Sequence, residues 1–209
     1  MNKIKAILFD MDGVLIEAKD WHYQALNDAL KLFGCEISLY DHLVTFDGLP
    51  TKDKLNILSS IGKLPKDLHP IINKMKQRHT MRMILNKCKP FFAHQYALSK
   101  LHAEGYKMAV CSNSIRKSVE VMIQQAGLDK YFEFYVSNED VTKGKPDPQM
   151  YTKAIEKMNL LPENCLILED NENGILAAKA SGGHLLKIGE ITDLTYLNIK
   201  ERIKEIEKI

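Results

Sequence analysis

Asp10 and Asp12 stand one residue apart at the end of the apolar run "IKAILFD", with Gly13 directly after the second acid. Another acidic pair, Glu169 and Asp170, closes the run "NCLILED". Ser112 and Asn113 close a third, "YKMAVCSN", and "TKGKPDP" carries Lys143 and Lys145. Clustered carboxylates repel one another unless a cation neutralises them, and all-oxygen ligation suits Mg²⁺. A carboxylate can attack a phosphoryl group and form an aspartyl phosphate. A second carboxylate two residues on can protonate the leaving oxygen and then activate water. A lysine and a small hydroxyl can hold the non-bridging oxygens, where charge accumulates. Together these groups supply metal-assisted phosphoryl transfer if the fold brings them to one place. Taken alone, "FDMDG" reads equally well as a strand end with two solvated acids.

The elements that must bring them together are legible from periodicity. "IKAILFD" is short, apolar and β-branched at Ile4 and Ile7, interrupted only by Lys5, which predicts a parallel strand buried on both faces. Paired charges are not tolerated inside such a strand, so they lie where it ends. In open α/β sheets, ligands bind outside the carboxyl ends of the strands. While the chain stays extended, residues i and i+2 point the same way, so Asp10 and Asp12 converge on one spot, and Gly13 lets the backbone turn away.

After this strand the pattern turns helical. "DWHYQALNDALKLFG" places Trp21, Ala25, Ala29 and Phe33 on one face and stops at Gly34. "TKDKLNILSSIG" starts with Thr51 as the expected N-cap, and "DLHPIINKMKQRHTMRMILNKC" predicts a long basic helix broken near Pro70. From Pro90 onward helices alternate with the strands "YKMAVCS", "FEFYVS", "NCLILED" and "HLLKI", ending in the amphipathic "NIKERIKEIEKI". The alternation predicts an α/β fold, a doubly wound parallel sheet, with an inserted all-helical domain. The expected division is residues 1–13 with 90–209 for the sheet and 14–89 for the insertion.

Composition bounds the partners. At 209 residues with a net charge of +2, nothing argues for nucleic acid. The charge is uneven, with twelve Lys/Arg against eight Asp/Glu between Val14 and Lys89, a balance that suits an anionic substrate. Cys35, Cys88, Cys111 and Cys165 show neither CxxC nor zinc-finger spacing. No run reaches transmembrane length, and Asp10 interrupts the N-terminal apolar run before it can act as a signal peptide. The expectation is a cytoplasmic monomer that engages no nucleic acid and no membrane.

"FDMDGVL", "VCSNS", "KGKPDP" and "LILEDNENGILAAKASG" resemble, in order, the four motifs of the haloacid dehalogenase superfamily. The similarity is closest to its phosphatase and β-phosphoglucomutase-like branch, and it spans nearly the whole chain. The resemblance implies a Rossmann-like core with a helical cap, and an Mg²⁺-dependent phosphatase acting on a small phosphorylated metabolite. It implies Asp10 as nucleophile and Asp12 as general acid/base. Mg²⁺ would be held by the Asp10 carboxylate, the Asp12 backbone carbonyl and Asp170, with Glu169 behind them. Ser112 and Lys145 would bind the transferring phosphoryl group.

Further substrate contacts are expected from Asn113, from Arg116 (aimed at a distal anionic group), and from His22, Thr51 and Lys52 in the cap. His22 also reads as a partly buried helix residue, and Thr51 can be spent as an N-cap. Asn171 departs from the serine many relatives carry, and Asp47 stands where mutase-like relatives often have a basic residue. The alternative activity is a sugar-phosphate mutase; dehalogenation has no use for an acid at position 12. A phospho-accepting regulatory domain combines similar groups but phosphorylates the end of its third strand, here Ser137 and Asn138. Lys74, Arg78 and Arg82 read as a solvated stripe, Lys143 as surface, Met75, Met81 and Met83 as packing, and Trp21 as cap core.

Overall fold

The computed structural model describes residues 3–208. It divides into two compact units: one runs to Glu17 and resumes at Cys88, and the other is Ala18–Lys87.

The second unit is helical: α1 (Lys19–Lys31), α2 (Leu39–Asp41) leading into a π-turn (His42–Phe46), α3 (Thr51–Ser60) and α4 (His69–Lys87). Its core is Leu26, Ala29, Leu30, Phe46, Leu55, Leu58 and Ile72. Ala25 and Ala29 are buried as the helical spacing requires, whereas Trp21 and Phe33 at the ends of that stripe are only half-buried. Trp21 therefore lies outside the buried cluster in which it was expected. Gly34 ends the segment with φ 71°, a conformation that favours glycine.

Two helix starts differ from expectation. Pro50, not Thr51, is the N-cap of α3: its carbonyl accepts from the N–H groups of Asp53 and Lys54 (3.0 and 3.2 Å), and Thr51 is the first helical residue. Pro70 does not break its helix. It is the second residue of α4, after a 3₁₀ turn at Lys66–Leu68, where its missing N–H has no intrahelical partner to lose.

The first unit holds a five-stranded sheet of β1 (Ala6–Phe9), β2 (Lys107–Cys111), β3 (Phe134–Val136), β4 (Cys165–Glu169) and β5 (His184–Lys187). The order is β3-β2-β1-β4-β5 and every pairing is parallel. Leu8 lies opposite Ala109 on one side and Ile167 on the other. The connecting helices are α5 (Phe92–Ala103), α6 (Arg116–Gln125), α7 (Gln149–Lys157), α8 (Glu172–Ala180) and α9 (Tyr196–Glu207).

Strand alternation splits the core. Ala6, Leu8, Ala109, Cys111, Cys165 and Ile167 pack with Met150, Tyr151, Ala154 and Ile155 of α7 and Ala177 and Ala178 of α8. Ile7, Phe9, Met108 and Val110 point to the opposite face and are as deeply buried. This two-sided burial is why β1 and β4 read as continuous apolar runs. Among the described residues no helix is long and apolar enough to cross a membrane.

Candidate active site

Three strand ends fix the site. The ladder runs one residue past β1, where the Asp10 N–H donates to the Leu168 carbonyl at 3.0 Å. At β2 the Ser112 N–H reaches Val136 O at 2.9 Å, and at β4 the Ile188 N–H reaches Glu169 O at 2.7 Å. Beyond Asp10 the chain folds into a tight loop: the N–H groups of Leu15 and Ile16 both donate to Met11 O, at 3.0 Å each, with Gly13 at φ 92°. Asp10 and Asp12 are thus held at the carboxyl end of the central strand.

Lys145 sits at the centre, 4% exposed. Its ammonium donates to Asp10 Oδ1 at 2.6 Å, Glu169 Oε1 at 2.5 Å and Cys111 O at 2.8 Å. An ammonium has three protons, and three acceptors surround it. The Asn113 amide clamps the Lys145 backbone, accepting from its N–H at 3.0 Å and donating to its carbonyl at 3.3 Å. Asn113, expected to bind substrate, is therefore placed on the segment that carries the lysine.

Glu169 is fully buried. Its Oε1 also accepts from the Tyr151 hydroxyl at 2.5 Å, and its Oε2 accepts from the Asp170 N–H at 3.2 Å. The carboxylate lies against Gly174 in the first turn of α8, where an added Cβ would fall 2.0 Å from Glu169 Cδ. Only glycine admits it. Asn171 caps the same helix, its side-chain oxygen accepting from the Gly174 N–H at 3.1 Å, so the asparagine keeps a structural task at this position.

Asp10, Glu169 and Asp170 each offer a carboxylate oxygen, and these oxygens lie within 4.8 Å of one another. Burial, then the neighbouring charge of Glu169, pushes the Asp10 carboxyl well above its usual range; Lys145 pulls the other way, and Asp170 and Asp12 add to the rise. Three carboxylates against one ammonium leave an excess of buried negative charge that a divalent cation would relieve. The donor set is all oxygen, which fits Mg²⁺.

Asp12 is only half-buried, and its Oδ2 accepts from the Ser114 hydroxyl at 3.2 Å. Ser112 is buried, and its hydroxyl oxygen accepts from the Ser114 N–H at 3.1 Å. Arg116 opens α6, but its guanidinium is engaged by both oxygens of Asp140 at 2.5 Å, and its N–H by Glu139 at 2.7 Å. Lys143 is exposed and lies 3.9 Å from Asp147.

Within the helical unit, His22 Nδ1 is 3.3 Å from Lys76 Nζ, Thr51 is half-buried and Lys52 is exposed. Lys74, Arg78 and Arg82 are exposed, as a solvated stripe should be. The buried cations here are Lys54 and Lys76, 8% and 7% exposed.

Sequence reasoning missed Tyr151, Gly174 and Ser114. Gly174 carried a signal, a glycine early in a helix directly after an acid pair, where it costs helix stability unless something approaches closely. Tyr151 carried none beyond its place on the apolar face of α7.

The model of the haloacid dehalogenase-like hydrolase family matches residues 7–188. A phosphorylated carbohydrates phosphatase from Thermotoga maritima is 27% identical over 86% of this chain and 82% of its own length. A phosphoglycolate phosphatase from Aquifex aeolicus is 26% identical over 96% of each chain. The crystal structure of a β-phosphoglucomutase from Clostridium difficile superposes with a TM-score of 0.84 at 19% identity, covering 99% of this chain and 100% of that one.

Proposed function

The chain belongs to the haloacid dehalogenase-like hydrolase family, and on that premise we propose that it is an Mg²⁺-dependent phosphatase working through an aspartyl phosphate on Asp10. The observation that carries this reading is the buried Asp10 carboxylate, held by Lys145 at 2.6 Å and clustered with Glu169 and Asp170.

The reaction needs two displacements at phosphorus. An Asp10 oxygen bonds to phosphorus as the bond to the ester oxygen breaks, and Asp12 gives its proton to that oxygen, releasing the alcohol. Asp12, now a carboxylate, takes a proton from water; the water oxygen bonds to phosphorus as the Asp10 oxygen–phosphorus bond breaks, freeing the Asp10 carboxylate and releasing phosphate as the second product. Ser112, at the end of β2, and the Lys145 ammonium hold the phosphoryl oxygens. The Ser114 hydroxyl orients Asp12 between its two roles. Asp10, Asp170 and the Asp12 main-chain carbonyl would hold Mg²⁺, with Glu169 behind them; there it would supply charge neutralisation to the carboxylates and the phosphoryl oxygens.

The substrate class is a small phosphomonoester. Relatives named for phosphorylated carbohydrates and for phosphoglycolate place those compounds first in a test panel. The deciding experiment measures phosphate release from such a panel with and without EDTA. Mg²⁺-dependent release that Asp10→Asn abolishes is the expected result. Full activity in chelator would remove the metal from the mechanism, and isomer interconversion with little free phosphate would replace hydrolysis by mutase chemistry.

A further inference from the structure

Tyr151 is fully buried on α7, where Met150, Ala154 and Ile155 share its apolar face. Packing on that face needs a ring and has no use for a hydroxyl, which loses hydration on burial and must find an acceptor. Here the acceptor is Glu169 Oε1 at 2.5 Å, the same atom that accepts a hydrogen bond from the Lys145 ammonium at 2.5 Å. The Lys145 ammonium also lies 4.8 Å from the centroid of the Tyr151 ring. One side chain therefore touches the lysine with its face and the glutamate with its tip.

We propose that Tyr151 is a positioning residue of this site, fixing the Glu169 carboxylate and the Lys145 ammonium so that the cation site keeps its shape and the lysine stays on Asp10. A carboxylate's terminal torsion is broad and roughly two-fold, so Glu169 is set by its partners and not by its rotamer. Oε1 holds two donors and Oε2 holds the Asp170 N–H, while Gly174 closes the remaining side. Removing the hydroxyl takes away one of these constraints. Glu169 can then turn, drawing the ammonium from Asp10 and moving beside Asp170, its neighbour in the chain. Groups that orient metal ligands from behind typically cost 10- to 100-fold in affinity when lost, and roughly tenfold is expected for one of several such contacts.

The test uses the whole purified chain and Mg²⁺ itself as probe. Tyr151→Phe keeps the ring and deletes the hydroxyl; Tyr151→Leu deletes both. Circular dichroism and thermal melting report folding, and calorimetry reports Mg²⁺ affinity without any substrate. Tyr151→Phe is expected to fold, to bind Mg²⁺ roughly tenfold more weakly, and to lose kcat with KM for the ester little changed. Tyr151→Leu should be weaker still. In a Glu169→Gln background, Tyr151→Phe should change Mg²⁺ affinity little further, because its effect passes through Glu169. A lower melting temperature with unchanged Mg²⁺ affinity would make Tyr151 a packing residue and overturn the proposal. A full additive loss in the Glu169→Gln background would overturn it as well. The kinetic arm rests on the phosphatase reading; if no ester is hydrolysed by the wild-type chain, that reading fails and the calorimetry alone decides Tyr151.

Discussion

The two units bury charge in opposite ways. The sheet unit gathers acids, and its buried Lys145 lies within 2.6 Å of both Asp10 and Glu169. The helical unit gathers bases: Lys54, Lys76 and His42 are all less than a tenth exposed, and Tyr23 stacks on His42 at 4.7 Å. Its buried amide, Asn27, serves the backbone instead, closing on the carbonyl and N–H of Ile37 at 2.8 and 2.9 Å. On the proposed mechanism, acids fixed by strand ends make a reaction centre that tolerates little substitution.

That contrast can be broken most decisively in the sheet unit. Asp10→Asn should abolish turnover, because an amide cannot form the acyl phosphate; near-wild-type rates would end the covalent mechanism. Asp12→Asn should follow at about 10²–10⁴-fold in kcat, the usual worth of general acid/base assistance. Single-turnover release of the alcohol, measured directly, checks that the loss lies in the first step. Gly174→Ala tests the packing around Glu169. Its Cβ, 2.0 Å from the glutamate Cδ, should lower stability by about 1–3 kcal/mol in urea unfolding. An alanine variant as stable as wild type would mean that Glu169 moves freely.

Substitutions in the helical unit should be milder and of another kind. Lys52→Ala and Lys76→Ala should raise KM on the best substrate more than they lower kcat, the signature of lost binding and not of lost chemistry. Equal losses in kcat and kcat/KM would erase the division of labour.

The smallest expected effect is a shared dependence on pH. Burial holds His94 and His42 below the ordinary histidine value of 6.5. The unfolded chain therefore takes up protons that the folded chain resists, so stability is full above that value and declines as pH falls through and below it. His94, fully buried with ring nitrogens 3.1 Å from Leu15 O and 2.9 Å from Ile191 O, should contribute in the sheet unit and His42 in the helical one. Urea midpoints at about pH 7.5 and 5.5 for single histidine replacements would apportion the decline between the units. A midpoint unchanged by acid would contradict both.

What the sequence revealed follows the same division. Strands buried on both faces read as apolar runs, and Asp10, Asp12, Ser112, Glu169 and Asp170 lie at or just past the ends of three of them, so they could be picked out as candidates without coordinates. The loop of Lys145 offered Lys143 as well, and only the resemblance to the family motif singled out Lys145. Tyr151 was hidden because a tyrosine on an apolar helical face looks like packing until its hydroxyl is seen to meet Glu169. Arg116 looked free to meet an anion, and the chain supplies that anion itself in Asp140, 24 residues further on. In the helical unit the conspicuous stripe of Lys74, Arg78 and Arg82 is solvated, while Lys76 within it is buried. Periodicity separates faces only when one is apolar, and the buried stripe of α4 alternates Ile72 and Ile84 with Lys76 and Thr80.

The place of β1 between β2 and β4 has a further consequence, for the chain as it is made. Ala6 pairs with Lys107 and with Cys165, so the strand that leads into Asp10 waits for one partner about half a chain length away and another about three quarters away. At about 5–20 residues per second of synthesis, the wait for β4 is roughly 8–30 s. Ala18–Lys87 is continuous in sequence and can fold within that time. Both edges of the four apolar residues of β1 are open until β2 is made, and the β4 edge stays open until the wait ends, the condition under which strands join the wrong chain. A nascent chain should thus need chaperones during synthesis more than a complete chain diluted from denaturant, in which every partner of β1 is present from the start.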